Sequence, residues 1–140
     1  MLATLNITQY LMGRDKSYIL APEYYANAEQ TVYRVNKLFE LLAAYNIEVE
    51  FSPITKTPIT SGWRPAQLNA GTPGAAPKSN HITCQACDIY DPDGLIDDLL
   101  SGIPNLLEGL QLWLEHPSAT KGWCHVQTIP PKSGKRIFYP

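Results

Sequence analysis

Ser79-Asn80-His81-Ile82-Thr83-Cys84-Gln85-Ala86-Cys87-Asp88 sets a histidine seven residues before an aspartate, and Trp123-Cys124-His125 brings a second histidine 37 residues after that aspartate. Two imidazoles and one carboxylate make a three-ligand set. Three protein ligands leave one corner of a tetrahedron open to water, as a catalytic zinc requires, whereas a structural zinc is closed by four ligands and is usually rich in thiolate. The spacing suits two extended strands rather than a helix. Seven is an odd offset, so on a regular strand His81 and Asp88 would face opposite sides, and a turn or bulge is expected between them.

The segments around this stretch alternate between helical and extended patterns. Val32, Val35, Leu38, Phe39, Leu42 and Tyr45 recur at steps of three and four, which predicts a core-facing helix over residues 27–45 with Asn27 as N-cap and Pro22 in the loop before it. Residues 5–12 read as a helical turn or two ending at Gly13. Residues 47–51 and 59–63 read as short strands, and residues 65–78, rich in Ala, Gly and Pro, as a loop opening with a helical turn and forming one wall of a cleft. Asp91-Pro92-Asp93-Gly94 is a turn, with Asp93 starting a helix over 95–100 and a further helical turn over 105–110. Strands over 110–114 and 123–128 form a hairpin that carries His125 into the sheet centre, and residues 136–139 add an edge.

Ser61-Gly62-Trp63-Arg64, Ser79-x-His81, Ala86-x-Asp88 and Trp123-x-His125, taken in that order, resemble the M15 metallopeptidases. That family contains zinc D-alanyl-D-alanine carboxypeptidases, dipeptidases and peptidoglycan-cleaving phage endolysins. The resemblance runs from about Ser61 to Gln127, and the short form looks most like members found in phages and prophages. It implies an α+β domain of the Hedgehog/DD-peptidase kind, with a small central antiparallel sheet flanked by helices. It also implies zinc held by His81, Asp88 and His125, and action on the stem peptides of peptidoglycan. Arg64 is then the expected contact to substrate and to a developing oxyanion, and Ser79 a substrate contact or a support for His81.

The chain departs from the family at the general base. Many relatives place an acid three residues before the last histidine, which here is Gly122, and some place one two residues after it, which here is Gln127. Cys84 stands where the family commonly has glycine. Because a base must come within hydrogen-bond reach of the attacking water, Glu115 and His116, on the strand expected to pair with that of His125, are the candidates. Glu115 as a solvent-facing edge residue, and His116 as a ligand of its own turn backbone, are the competing readings.

Composition bounds the rest. A chain of 140 residues, 44% hydrophobic, is expected to form one domain over residues 1–140 with a single core. A net charge of −2 gives no pull toward nucleic acid, and no apolar run approaches the ~20 residues of a membrane span, so neither nucleic acid nor membrane insertion is expected. The first ten residues lack the basic and apolar pattern of a secretory signal, so cytoplasmic synthesis is expected, with access to the wall after release or as part of a virion. Cys84-x-x-Cys87 with Cys124 raises a thiolate zinc site as a rival, against which stands the opposite facing of Cys124 and His125 on a strand; buried reduced thiols are the expectation. Asp91, Asp93, Asp97 and Asp98 lack the spacing and closing glutamate of a calcium loop. Two function classes follow: a zinc peptidase, or an inactive wall-binding or virion module of the same fold.

Overall fold

A computed structural model describes residues 2–140. Helix α1 (Ile7–Leu11) opens with a capping box, Asn6 and Gln9 each accepting from the other's backbone N–H, and ends where Met12 turns left-handed. A 3-10 turn at Arg14–Lys16 follows. Helix α2 (Pro22–Ala44) begins five residues earlier than the periodicity predicts, with Pro22 in its first turn, where a missing N–H costs nothing. Asn27 is therefore inside the helix and is not its cap. The buried face runs Ala28, Thr31, Val32, Val35, Leu38, Phe39 and Leu42, the i, i+3, i+4 stripe that a core-facing helix needs.

Residues 47–51 do not form the expected strand. Asn46 turns left-handed after α2 and Ile47 N–H returns to the Leu42 carbonyl. Ile47 and Val49 then pack onto the core, and residues 47–51 pair with no neighbouring strand. Alternation reported burial there, not pairing. Strand β1 (Ile59–Ser61) is shorter than expected, and helix α3 (Ala66–Ala70) is the anticipated helical turn after Pro65. Strand β2 (Ala86–Asp91) is followed by helices α4 (Leu95–Gly102) and α5 (Asn105–Leu110). Asp93 does not start α4: Gly94 is the left-handed N-cap, and the carboxylate of Asp91 accepts from Ile96 N–H (3.1 Å) and Asp97 N–H (3.0 Å).

Strands β3 (Trp113–Glu115), β4 (Gly122–Gln127) and β5 (Ile137–Phe138) complete an open five-stranded sheet ordered β1-β2-β4-β3-β5. The hairpin of β3 and β4 and the terminal edge form as expected, although β3 begins only at Trp113, after Gln111 has turned left-handed to end α5. The sheet is mixed, not antiparallel throughout, because β5 returns parallel to β3. β4 and β5 therefore run opposite to each other on either side of β3, and the residues between them pass the end of β3 to reach its far edge.

Register decides which side chains share a face. β2 and β4 are antiparallel with Asp88 opposite His125 and Cys87 opposite Val126. β3 pairs Leu114 with Val126, and continuing that register carries Glu115 alongside His125. One face thus presents Cys87, Ile89, Leu114, Cys124 and Val126 to the core formed with α2, α4 and α5. The other presents Asp88, Glu115, Trp123, His125, Gln127 and Phe138 to a cleft. Among the described residues no helix is long and apolar enough to cross a membrane.

Candidate metal centre

The cleft, about 370 Å³, has His81, Asp88 and His125 at its floor, their ligand atoms all within 4.8 Å of one another. His81 Nε2 lies 3.3 Å from Asp88 Oδ2, and His125 Nδ1 lies 2.8 Å from Asp88 Oδ1. In a zinc tetrahedron with bonds of ~2.0 Å, ligand atoms stand roughly 3.3 Å apart. The three residues are close enough together to hold a metal ion.

The turn between His81 and Asp88 is what makes this possible. Ile82 N–H bonds to the Ser79 carbonyl, Cys84 N–H to that of His81 and Gln85 N–H to that of Asn80, reversing the chain before β2 begins. Cys84 sits at φ +62°, the left-handed region that favours glycine. Helix α2 stabilises this turn: Thr31 Oγ1 donates to the Cys84 carbonyl at 2.7 Å and Asn27 Nδ2 to that of Thr83 at 3.0 Å. Buried carbonyls left unpaired would cost about 1–3 kcal/mol each, so the long helix braces the site through its polar positions as well as its apolar ones.

The Ser61-Gly62-Trp63-Arg64 element is the second clamp on His81. The Gly62 carbonyl accepts from His81 Nδ1 at 2.8 Å, Trp63 Nε1 donates to the Ile82 carbonyl at 3.1 Å, and Arg64 N–H donates to the His81 carbonyl at 3.1 Å. A backbone carbonyl can only accept, so Nδ1 carries the proton and the lone pair on Nε2 faces Asp88. His125 is 3.0 Å from Gln127 Oε1 through Nε2, and its Nδ1 faces the same carboxylate. Nitrogen and oxygen acceptors thus converge on one point, which calls for a proton or a metal ion.

Electrostatics agree. Burial would raise the Asp88 pKa, but the charges and hydrogen bonds of His81 and His125 hold it well below the usual carboxylate range. Burial would lower that of His125, but the Asp88 hydrogen bond and charge push it up to about 9. The carboxylate is charged and one imidazole carries the compensating proton whenever no metal replaces it.

The remaining predicted residues separate. Arg64 lines the cleft with its guanidinium fixed by Asn69 Oδ1 (3.0 Å) and Ser61 Oγ (3.3 Å). Glu115 lines it too: burial raises its pKa, partly offset by His125, and among the described residues no side chain hydrogen-bonds its carboxylate. It is not the solvent-facing edge residue. Ser79 lies on the rim, its Oγ accepting from His81 N–H at 3.2 Å, a support to the histidine's turn. His116 does not line the cleft. Its Nδ1 accepts from Ser118 N–H at 3.1 Å, and its ring stacks on Tyr139 with centroids 4.4 Å apart. His116 lies just past the end of β3 and caps the 3-10 turn over Pro117–Ala119, so its side chain is held by that turn and not turned to the cleft.

The cysteines are free and buried, and among the described residues they join no metal-binding group. Burial pushes the Cys84 thiol up to about 12 and those of Cys87 and Cys124 well above their usual value. Protonated thiols in a core are poor metal ligands.

Sequence reasoning missed three participants. Gly62 acts through its carbonyl, Asn69 bridges Arg64 to the Ala76 carbonyl of the cleft wall (2.9 Å), and Gln127 touches His125. None carries charge, and only the i, i+2 spacing of His125 and Gln127 on a strand signalled a shared face.

No protein-family model, curated protein or solved structure matches this chain. Its chemistry must be read from the residues themselves.

Proposed function

We propose that this protein is a zinc-dependent peptidase that hydrolyses a D-amino-acid-containing peptide bond in peptidoglycan, with the Hedgehog/DD-peptidase arrangement and M15-type ligands. The observation that carries the reading is the convergence of His81, Asp88 and His125, two strand positions and one turn, on a single point at the floor of an open cleft. Two imidazoles and one carboxylate, three protein ligands without a thiolate, are the donor set of catalytic rather than structural zinc. When bound, zinc supplies an acidified water and an electrophile for the scissile carbonyl.

The chain's own residues supply the rest. Glu115 accepts the proton of the attacking water and returns it to the leaving amine; the raised pKa given by its half-buried position brings it closer to the operating pH of such a base. Arg64, held in place by Asn69 and Ser61, offers its remaining N–H groups to the oxyanion that develops on the carbonyl. Phe138 and Trp123 also line the cleft, as do residues 72–76.

The test is direct. Purified protein should contain about one zinc and release D-alanine or cleaved stem peptides from peptidoglycan. His81→Ala should abolish both, whereas Glu115→Gln should keep the zinc and lose roughly 10²–10⁴-fold in turnover. Gly122, where relatives carry an acid, favours one second reading: a wall-binding or virion module that does not hydrolyse. Zinc-loaded protein that sediments with peptidoglycan yet releases nothing would establish that reading instead.

A further inference from the structure

We infer that Gln127 is a positioning residue that dictates which nitrogen of His125 faces the metal position, an inference that rests on the zinc reading above. An amide side chain can be turned either way, so its contact with an imidazole does not by itself fix a tautomer. Here a third group settles the matter. Gln127 Nε2 lies 2.9 Å from the Ile129 carbonyl, and Gln127 Oε1 lies 3.0 Å from His125 Nε2. Turning the amide over would set two carbonyl oxygens against each other. The Ile129 carbonyl therefore holds the amide N–H₂, the amide oxygen is left for His125, and His125 Nε2 must be the protonated nitrogen.

The consequence is that the nitrogen freed when His125 gives up its second proton is Nδ1, which faces Asp88 and the metal position. Gln127 is 3% exposed, so water does not compete for either bond. His81 is set by the same device with the nitrogens exchanged, its Nδ1 held by the Gly62 carbonyl. Both imidazoles are thus oriented by neutral oxygens. A carboxylate at either place would add negative charge, making the imidazole more basic and the metal less electrophilic. Orientation by amides keeps the metal at a net charge of one, offset by Asp88 alone. That leaves more of its charge for acidifying water.

Two substitutions separate this from packing. Gln127→Met keeps the length and volume but offers no oxygen. Gln127→Glu keeps an oxygen for His125 Nε2–H and adds charge. Zinc chloride titrated against a chromogenic chelator should show Gln127→Met binding about 10–100-fold more weakly than the parent, with Gln127→Glu at least as tight as the parent. Nitrogen-15 shifts of His125 in the zinc-loaded parent should show the proton on Nε2. Gln127→Met binding zinc as tightly as the parent, Gln127→Glu weakened as much as Gln127→Met, or a proton found on Nδ1 would each overturn the inference. A parent protein that takes no zinc at all would instead sink the metal reading itself, so the two failures are distinguishable.

Discussion

Replacing Gly62 by alanine tests the link between fold and site in one step. A Cβ built on Gly62 would lie 2.0 Å from the Tyr10 carbonyl oxygen and 2.9 Å from its carbon. Comfortable separation is about 3.5 Å or more, so backbone must move by over ~1 Å. The obstacle is main chain and cannot rotate away. The same Tyr10 oxygen accepts from Trp63 N–H at 3.0 Å, a bond the displacement would break. Overpacking costs about 1–3 kcal/mol and a lost hydrogen bond about 1 kcal/mol, giving roughly 2–4 kcal/mol together. For a domain of this size that corresponds to a melting temperature lower by about 6–12 °C. The site should suffer in proportion, because the Gly62 carbonyl is the partner of His81 Nδ1, and zinc affinity should fall by about 10-fold or more. Gly109 is the matched control: it is exposed in α5, and a Cβ there meets nothing within 4 Å. Gly109→Ala should stabilise by about 0.5–1 kcal/mol and leave zinc untouched. Thermal unfolding and zinc titration of both variants decide it. Gly62→Ala melting within 2 °C of its parent, as about the reproducibility such scans resolve, with undiminished zinc affinity, would refute the clamp.

Other outcomes follow from the electrostatics. With no metal, the His125 pKa is pushed up to about 9, so below that pH zinc must displace a proton from Nδ1. The apparent dissociation constant should fall about tenfold per pH unit from about pH 6 to 8 and level off near 9; a pH-independent constant over that range would contradict the ligand set. Asp97 is buried, one carboxylate oxygen lacks a hydrogen-bond partner, and burial raises its pKa to about 6 against its Thr120 hydrogen bond. A folded pKa above the unfolded value favours the protonated form. Its stabilisation is therefore present below about pH 4 and lost as pH rises through about 6. Asp97→Asn should raise stability at pH 8 by on the order of 2 kcal/mol and change little at pH 4, measured by urea unfolding at both values. His116→Ala should cost about 1 kcal/mol of stability as a lost turn cap and leave peptidoglycan turnover within about twofold of the parent, since each tenfold would need ~1.4 kcal/mol of barrier; an activity loss like that of Glu115→Gln would reinstate His116 as a base.

Much of the fold was legible because its signals are local. The stripe from Val32 to Leu42 has helical period whatever surrounds it, and the break after Asp91 is written in Pro92 and Gly94. Boundaries were less legible. Pro22 reads equally as loop or as the first turn of a helix, and Asn27 looks like a cap until α2 is seen to need its amide elsewhere, on the Thr83 carbonyl. Residues 47–51 alternate like a strand, yet pairing requires a neighbour that sequence cannot supply. Glu115 and His116 were indistinguishable as candidates because both are polar and adjacent; the end of β3 separates them, Glu115 keeping the cleft face of the strand while His116 caps the turn that follows.

Residue identity alone settled the chemistry on offer: two histidines and an aspartate as possible ligands, and cysteines too few and too awkwardly placed for a closed thiolate site. Spacing further required the chain to reverse between His81 and Asp88. Which nitrogen of each histidine points inward was decided only by the folded chain. That choice belongs to the Gly62 carbonyl for His81 and to the Gln127 amide for His125. Such groups carry no charge and leave no compositional trace, so their effect exists only once packing has removed water and fixed their direction.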